Sequence, residues 1–137
     1  MAKIRICPAD KAFSLAVRHA RRHTCEHCKR TQFDGYPKME LAHIYGRANK
    51  SVRWDTLNGL CLCHTCHAKF TANPLDFEKW LRVYFGSGYM ELLNEKRHQI
   101  QKTTEAYRQE VAKHYRDQLR LMELDPLTYW LAFNEFR

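Results

Sequence analysis

Residues 61–67 read CLCHTCH. Three thiols and two imidazoles in one heptad exceed what a packed core or a solvated loop needs, and their spacing decides how the chain is built. Cys63-x-x-Cys66 lies inside this stretch. A second pair of the same form, Cys25 and Cys28, lies upstream, with residues 29–62 between. A CxxC turn aims two thiolates at one tetrahedral centre, so two turns make a four-cysteine zinc site. The Zn2+ expected there is structural, pinning both ends of a long insert in a chain with a modest core. Cys61 competes with Cys63 for the ion. Cys63 is chosen because it restores the two-residue spacer, which leaves Cys61 and Cys7 as buried or spare thiols. A redox role for either pair would need a thioredoxin-like βαβ pattern, and the sequence has none.

The rest of the composition suits an intracellular protein with a polyanionic partner. The 137 residues suffice for one domain with an appendage. Lys and Arg number 23 against 15 Asp and Glu, for a net charge of +8 and a sequence pI near 9.3. Such a balance favours nucleic acid over membrane as partner, because each neutralised phosphate releases a counterion; improved solubility is the bland alternative. MAKIRIC at the start carries no secretory apolar region. No run reaches the roughly 18 apolar residues of a spanning helix. A cytoplasmic location follows, where six cysteines serve as ligands or free thiols sooner than as disulfides.

Periodicity supplies the elements. A first helix begins near Pro8, with Phe13, Ala16, Val17 and Ala20 on one face; Arg18, Arg21, Arg22 and Lys29 on or near it either touch phosphate or are simply solvated. The first CxxC is followed by the turn formers Asp34, Gly35 and Pro37. KMELAHIY predicts a strand, GRANKSVRWDTLNG a basic loop, LCLC a short strand and HTCHAKFTAN a short helix. Asn73 is expected to cap a further helix carrying Phe77, Trp80, Leu81 and Tyr84, and Gly86-Ser87-Gly88 to end it. A helix with Tyr89, Leu92 and Leu93 follows. The longest, capped at Thr103 or Thr104, aligns Tyr107, Val111, Tyr115, Leu119 and Met122 into one apolar face, and Asp125-Pro126 stops it. The aromatic end, LTYWLAFNEFR, either folds back on the core or forms an interface between copies. A soft division results: residues 1–73 hold the unusual chemistry, and residues 74–137 are a helical extension that supports the core or contacts a second copy or DNA.

His43, Asn58 and His67, framed by the two CxxC pairs, form a composite pattern over residues 25–72. With LAHIYGR and WDTLNGLCLCHTCHAKFT it resembles the HNH nucleases of the ββα-metal type in their cysteine-containing form. That resemblance implies an α+β fold: a small ββα-metal core with two zinc knuckles, flanked by an N-terminal helix and a C-terminal helical extension. It implies His43 as general base, His67 as ligand of a catalytic Mg2+ or Mn2+, and Asn58 as organiser of the loop behind the base and a further ligand of that ion. Arg47 is placed to hold the scissile phosphate through two donors. Lys50 and Arg53 are further candidate phosphate contacts, and Trp54 is either a local core residue or a base-stacking wedge.

One position departs from the family. Where many members carry an ion-binding Asp or His directly before the base, this chain has Ala42, so Asp55, His64, Asn58 or water would have to replace that ligand. Beyond the motif, ADKAFS, HIYGR, SVRWDTLNG, LCHTCH and TANPLDFEKWL are similar to the NinG/Rap group of phage recombination proteins. This implies nicking of branched DNA such as Holliday junctions, inside a bacterial host cell, by an enzyme that works as a homodimer when two strands are cut. Two other functions fit the same residues: a zinc-stabilised DNA-binding protein without catalysis, and a sequence-specific HNH nuclease of restriction or homing kind.

Overall fold

The computed structural model describes residues 4–32 and 38–124. The expected turn at residues 34–37 and the aromatic C-terminal segment, with the interface placed there, lie outside these residues.

Helix α1 spans Pro8–Ala20. Pro8 presets the first helical φ, and Asp10 at the third position reaches back to accept the Cys7 N–H at 2.9 Å, so the first turn is locally closed. Strand β1, Met39–His43, pairs antiparallel with β2, Gly59–Cys63, in the register Met39 to Cys63 and His43 to Gly59. Gly59 is required by close approach: a Cβ there would lie 3.1 Å from the Phe13 ring and 3.2 Å from Leu41. All five residues of β2 are buried, which explains why LCLC reads as a continuous run with no alternation. Its outer edge is not left open. Glu26 donates its N–H to the Cys61 carbonyl, and its carboxylate accepts the Cys61 N–H at 2.8 Å, standing in for a third strand.

Helix α2, His64–Ala72, starts at the residue after β2. Helices α3, Pro74–Phe85, α4, Ser87–Arg97, and α5, Glu105–Leu124, follow. Asn73 does not cap α3 with its side chain; its amide donates instead to the Lys69 carbonyl and closes α2. Thr104 does cap α5, accepting the Tyr107 N–H. The result is a two-stranded antiparallel sheet flanked by helices. Among the described residues no helix is long and apolar enough to cross a membrane.

Two cores meet along the sheet. One gathers Met39, Ala42, Leu60 and Leu62 with Phe70, Leu81 and Met90 from α2, α3 and α4, beside the cysteine pairs. Phe70, Phe77 and Trp80 stack nearly parallel within it. The other packs Phe13, Ala16 and Val17 of α1 against Val111, Ala112, Tyr115 and Met122 of α5, with Trp54 between. The apolar face of α5 is therefore core, and it is shared with α1 from across residue 73.

The loop of residues 44–58 is fastened at several points. Asp10, Arg53 and Trp54 form its buried anchor: Asp10 accepts Arg53 Nε at 2.9 Å, an Arg53 terminal nitrogen at 2.6 Å and Trp54 Nε1 at 2.9 Å. Burial alone would raise the Asp10 carboxyl, but these donors and the Cys7 N–H outweigh it and hold its pKa below the ordinary value. Tyr115 donates to the Trp54 carbonyl, and on the other flank Lys96 pairs with Asp55 and Tyr89 donates to the Leu57 carbonyl.

Replacing Asp10 by Ala strands the Arg53 charge in the interior. The expected loss is about 3–5 kcal/mol in urea unfolding at pH 7. Because the carboxyl pKa is lowered on folding, this contribution is present at neutral pH and disappears as pH falls through the lowered value. A loss below about 1 kcal/mol would show the pair to be solvated, as exposed ion pairs are.

Candidate metal centre and the cleft beside it

The first cysteine pair sits in a tight knuckle. Thr24 and Thr31 bridge its base, Cys25 N–H donates to the Arg30 carbonyl, and Lys29 N–H returns to the Cys25 carbonyl. Closing so short a loop forces Lys29 into the left-handed region at φ 65°. Its Nζ offsets part of that strain by donating to the Glu26 carbonyl at 2.7 Å. The second pair spans the junction of β2 and α2. Cys63 is the N-cap of α2, and its sulfur accepts the Cys66 N–H at 3.4 Å. Cys28 N–H likewise points at Cys25 Sγ at 3.5 Å. Such donors favour thiolate over thiol. Burial would push the Cys25 thiol up, but backbone N–H groups led by that of Cys28 bring it below the ordinary value.

The four sulfurs of Cys25, Cys28, Cys63 and Cys66 lie within 4.8 Å of one another. Zn–S bonds of about 2.3 Å in tetrahedral array require sulfurs about 3.8 Å apart. Cys28 and Cys63 are 3.8 Å apart. The donor set and spacing fit one zinc ion. Cys61 is outside the cluster; burial, with the Glu26 carboxylate nearby, pushes its thiol up to about 12, so it stays a neutral core residue. Cys7 stands apart too, half-buried at the start of α1.

Beside this centre is a cleft of about 950 Å³. Lys11 and Arg18 of α1 and Lys38 before β1 line it together with His43, Arg47 and His67. Among the described residues its one acidic lining residue, Asp10, is already neutralised by Arg53. The cleft is thus net basic and suited to an anionic backbone.

His43 packs against Phe13, with ring centroids 6.3 Å apart, and its Nε2 lies 3.3 Å from the Arg53 carbonyl. A carbonyl only accepts, so in this pairing Nε2 carries the hydrogen and Nδ1 keeps the lone pair. Burial is the largest influence on the ring and lowers its pKa below the usual value; the Arg53 carbonyl and Asp10 oppose this, while the Arg47 and Arg53 charges add to it. At neutral pH the imidazole is therefore a neutral proton acceptor.

Four expected site residues do not line the cleft. Arg53 is only 8% exposed, with its guanidinium bound to Asp10 and to the Arg5 carbonyl. It is an interior anchor rather than a phosphate contact, and Trp54 beside it is a core residue. Asn58 is fully buried; its oxygen accepts the Tyr45 N–H at 2.7 Å and its amide donates to the Tyr45 and Val52 carbonyls. Fully buried and outside the cleft lining, Asn58 is set apart from an ion held there. Asp55 is removed likewise, buried and held by Leu57 N–H and Lys96. Lys50 is exposed and does not line the cleft.

Two polar residues near the centre, Glu40 and His27, stand outside the roles assigned from the sequence motifs. Glu40 places one carboxylate oxygen 2.8 Å from His67 Nδ1 and the other 3.0 Å from His64 Nδ1. Burial is the largest single influence and raises its pKa, but the two imidazoles together outweigh it and lower the value. Strand alternation, which sets Glu40 and Ala42 on one side of β1, was the available clue. His27, inside the first CxxC, puts Nδ1 3.3 Å from Cys66 Sγ and packs edge-on against Phe70 and Trp80.

No protein-family model matches this chain, and no curated protein or solved structure does either.

Elemental analysis of the purified protein should find one zinc per chain. Cys25→Ser and Cys66→Ser should lose it and unfold the first half, whereas Cys61→Ala should keep it at full occupancy. Zinc retained in Cys66→Ser but lost in Cys61→Ala would reverse the choice of ligands.

Proposed function

We propose that this chain is a divalent-metal-dependent DNA endonuclease of the HNH, ββα-metal kind, with the zinc structural and the chemistry in the basic cleft. One observation carries the reading: His43, Arg47 and His67 open on the same cleft. Beside it β1, β2 and α2 follow one another in chain order, next to the four thiols. Hydrolysis of a phosphodiester needs a deprotonated water in line with the leaving oxygen, and stabilisation of the charge that develops. Nδ1 of His43 takes the proton from water. The resulting imidazolium keeps its Nε2 hydrogen on the Arg53 carbonyl. The water oxygen bonds to phosphorus as the P–O bond to the leaving oxygen breaks. Arg47 offers two parallel donors to the non-bridging oxygens. Asn58 holds the turn from Tyr45 to Val52 rigid behind the base. His67 would hold a divalent cation, which when bound supplies Lewis-acid stabilisation to the phosphoryl and leaving oxygens. An imidazole donor would suit Mn2+ better than Mg2+.

The substrate in this proposal is DNA. The likeness to the NinG/Rap group points to branched DNA, with paired chains where both strands are cut. Ala42 favours a second function, a zinc-stabilised DNA-binding protein that does not cut.

Incubation with supercoiled plasmid and a four-way junction in Mn2+ or Mg2+ tests this. The wild-type protein should cleave, and His43→Ala should lower the rate by about 10²–10⁴-fold while still binding. Binding without cleavage of any substrate would leave the second function standing. Cutting of linear duplex at one sequence would replace the branched substrate with a sequence-specific one. The pH profile is a separate check. Because the His43 pKa is lowered, cleavage should be level between pH 7 and 8 and fall only as pH drops through a value below about 6.5.

A further inference from the structure

We infer that Glu40 is a positioning residue that sets the ring tautomer and bearing of His67, so that Nε2 is the nitrogen offered to a divalent cation. The inference rests on the endonuclease reading of His67 and adds a part that the HNH pattern does not contain.

Glu40 and Ala42 share the side of β1 over which α2 passes. His64 and His67 occupy the first turn and a half of α2, three residues apart and so on neighbouring positions of one face. One carboxylate spans both: Oε1 lies 2.8 Å from His67 Nδ1, and Oε2 lies 3.0 Å from His64 Nδ1. An ionised carboxylate only accepts, so both Nδ1 atoms carry hydrogens. In a neutral ring that places the lone pair of His67 on Nε2, its remaining ring nitrogen, on a side chain that lines the cleft with His43.

A carboxylate behind a metal-binding imidazole is a general device: it fixes the tautomer and raises the basicity of the ligand atom. Two-point attachment makes it effective here. Tied to His67 alone, the carboxylate could turn about its own bonds; His64 holds the second oxygen and stops that rotation. This gives His64, with a side chain 72% exposed, a purpose that its position on the surface does not suggest. The carboxylate also sits by the N-terminus of α2, where negative charge is favoured. Ala42 leaves the strand without the expected ligand, and Glu40 answers by fixing the ligand that remains.

Two measurements on the full zinc-loaded chain test this. Long-range ¹H–¹⁵N NMR of the histidine rings, in the absence of DNA and Mn2+, should show His67 of the wild type protonated at Nδ1 and bare at Nε2. Glu40→Gln, checked to retain one zinc, should give a mixture of tautomers. The concentration of Mn2+ giving half-maximal plasmid cleavage should rise about 10–100-fold in Glu40→Gln. The rate at saturating Mn2+ should stay within a few-fold of wild type. A wild-type His67 bare at Nδ1 overturns the inference at once, and does so even if Glu40→Gln fails to fold. Wild-type cleavage with an unchanged Mn2+ requirement in Glu40→Gln overturns it and leaves the nuclease function intact. A wild type that cuts nothing defeats the nuclease reading, and the inference about the cation goes with it.

Discussion

Four sulfurs drawn to within 4.8 Å of one another are the constraint on which this fold is organised. As thiolates they repel, so the arrangement holds only with a cation among them or with protons in its place. Bringing them together fastens the knuckle of residues 25–28 to the point where β2 becomes α2. Cys63 serves twice there, as a sulfur of the cluster and as the N-cap of the helix. Cys66 lies one turn on, and His67 is the next residue. The place of His67 on α2 is thus fixed by a centre that takes no direct part in the proposed chemistry.

A second fastening governs the opposite wall. The Arg53 side chain is bound to Asp10 in the first turn of α1, while its own carbonyl faces His43 Nε2. One residue thereby links the N-terminal helix to the orientation of the proposed base. Asn58 closes the other end of the same loop through Tyr45 and Val52. Histidines on the two walls are held by unlike means, a backbone carbonyl for His43 and a carboxylate for Glu40's partner His67. Each mode of attachment leaves a different ring nitrogen available.

What could be seen in advance was what is local in the chain. The CxxC spacing gave the four cysteines and the rejection of Cys61. The three- and four-residue steps of Tyr107, Val111, Tyr115 and Met122 gave the buried face of α5. LCLC gave the short strand β2. What escaped depends on partners distant in sequence. Arg53 looks like any loop arginine until Asp10 is found beside it. Asn73 satisfies the pattern of an N-cap, yet the Lys69 carbonyl takes its side-chain amide. Glu40 is an ordinary strand carboxylate until α2 crosses over it. The resemblance offered Asn58 as both loop organiser and ion ligand, and burial of its amide leaves only the hydrogen bonds.

The packing of α5 on α1 bears on how the chain is made. Synthesis runs from the N-terminus, so Phe13, Ala16 and Val17 emerge long before Val111 and Tyr115, against which they bury. Until the last described helix leaves the ribosome, one side of α1 remains wet, and Trp54 lacks the tyrosine hydroxyl that holds its carbonyl. The zinc knuckles can close early, from residues already translated. The loop behind His43 acquires its full support only once α5 has been made, so a polypeptide that stops short of α5 carries the metal centre without a finished site.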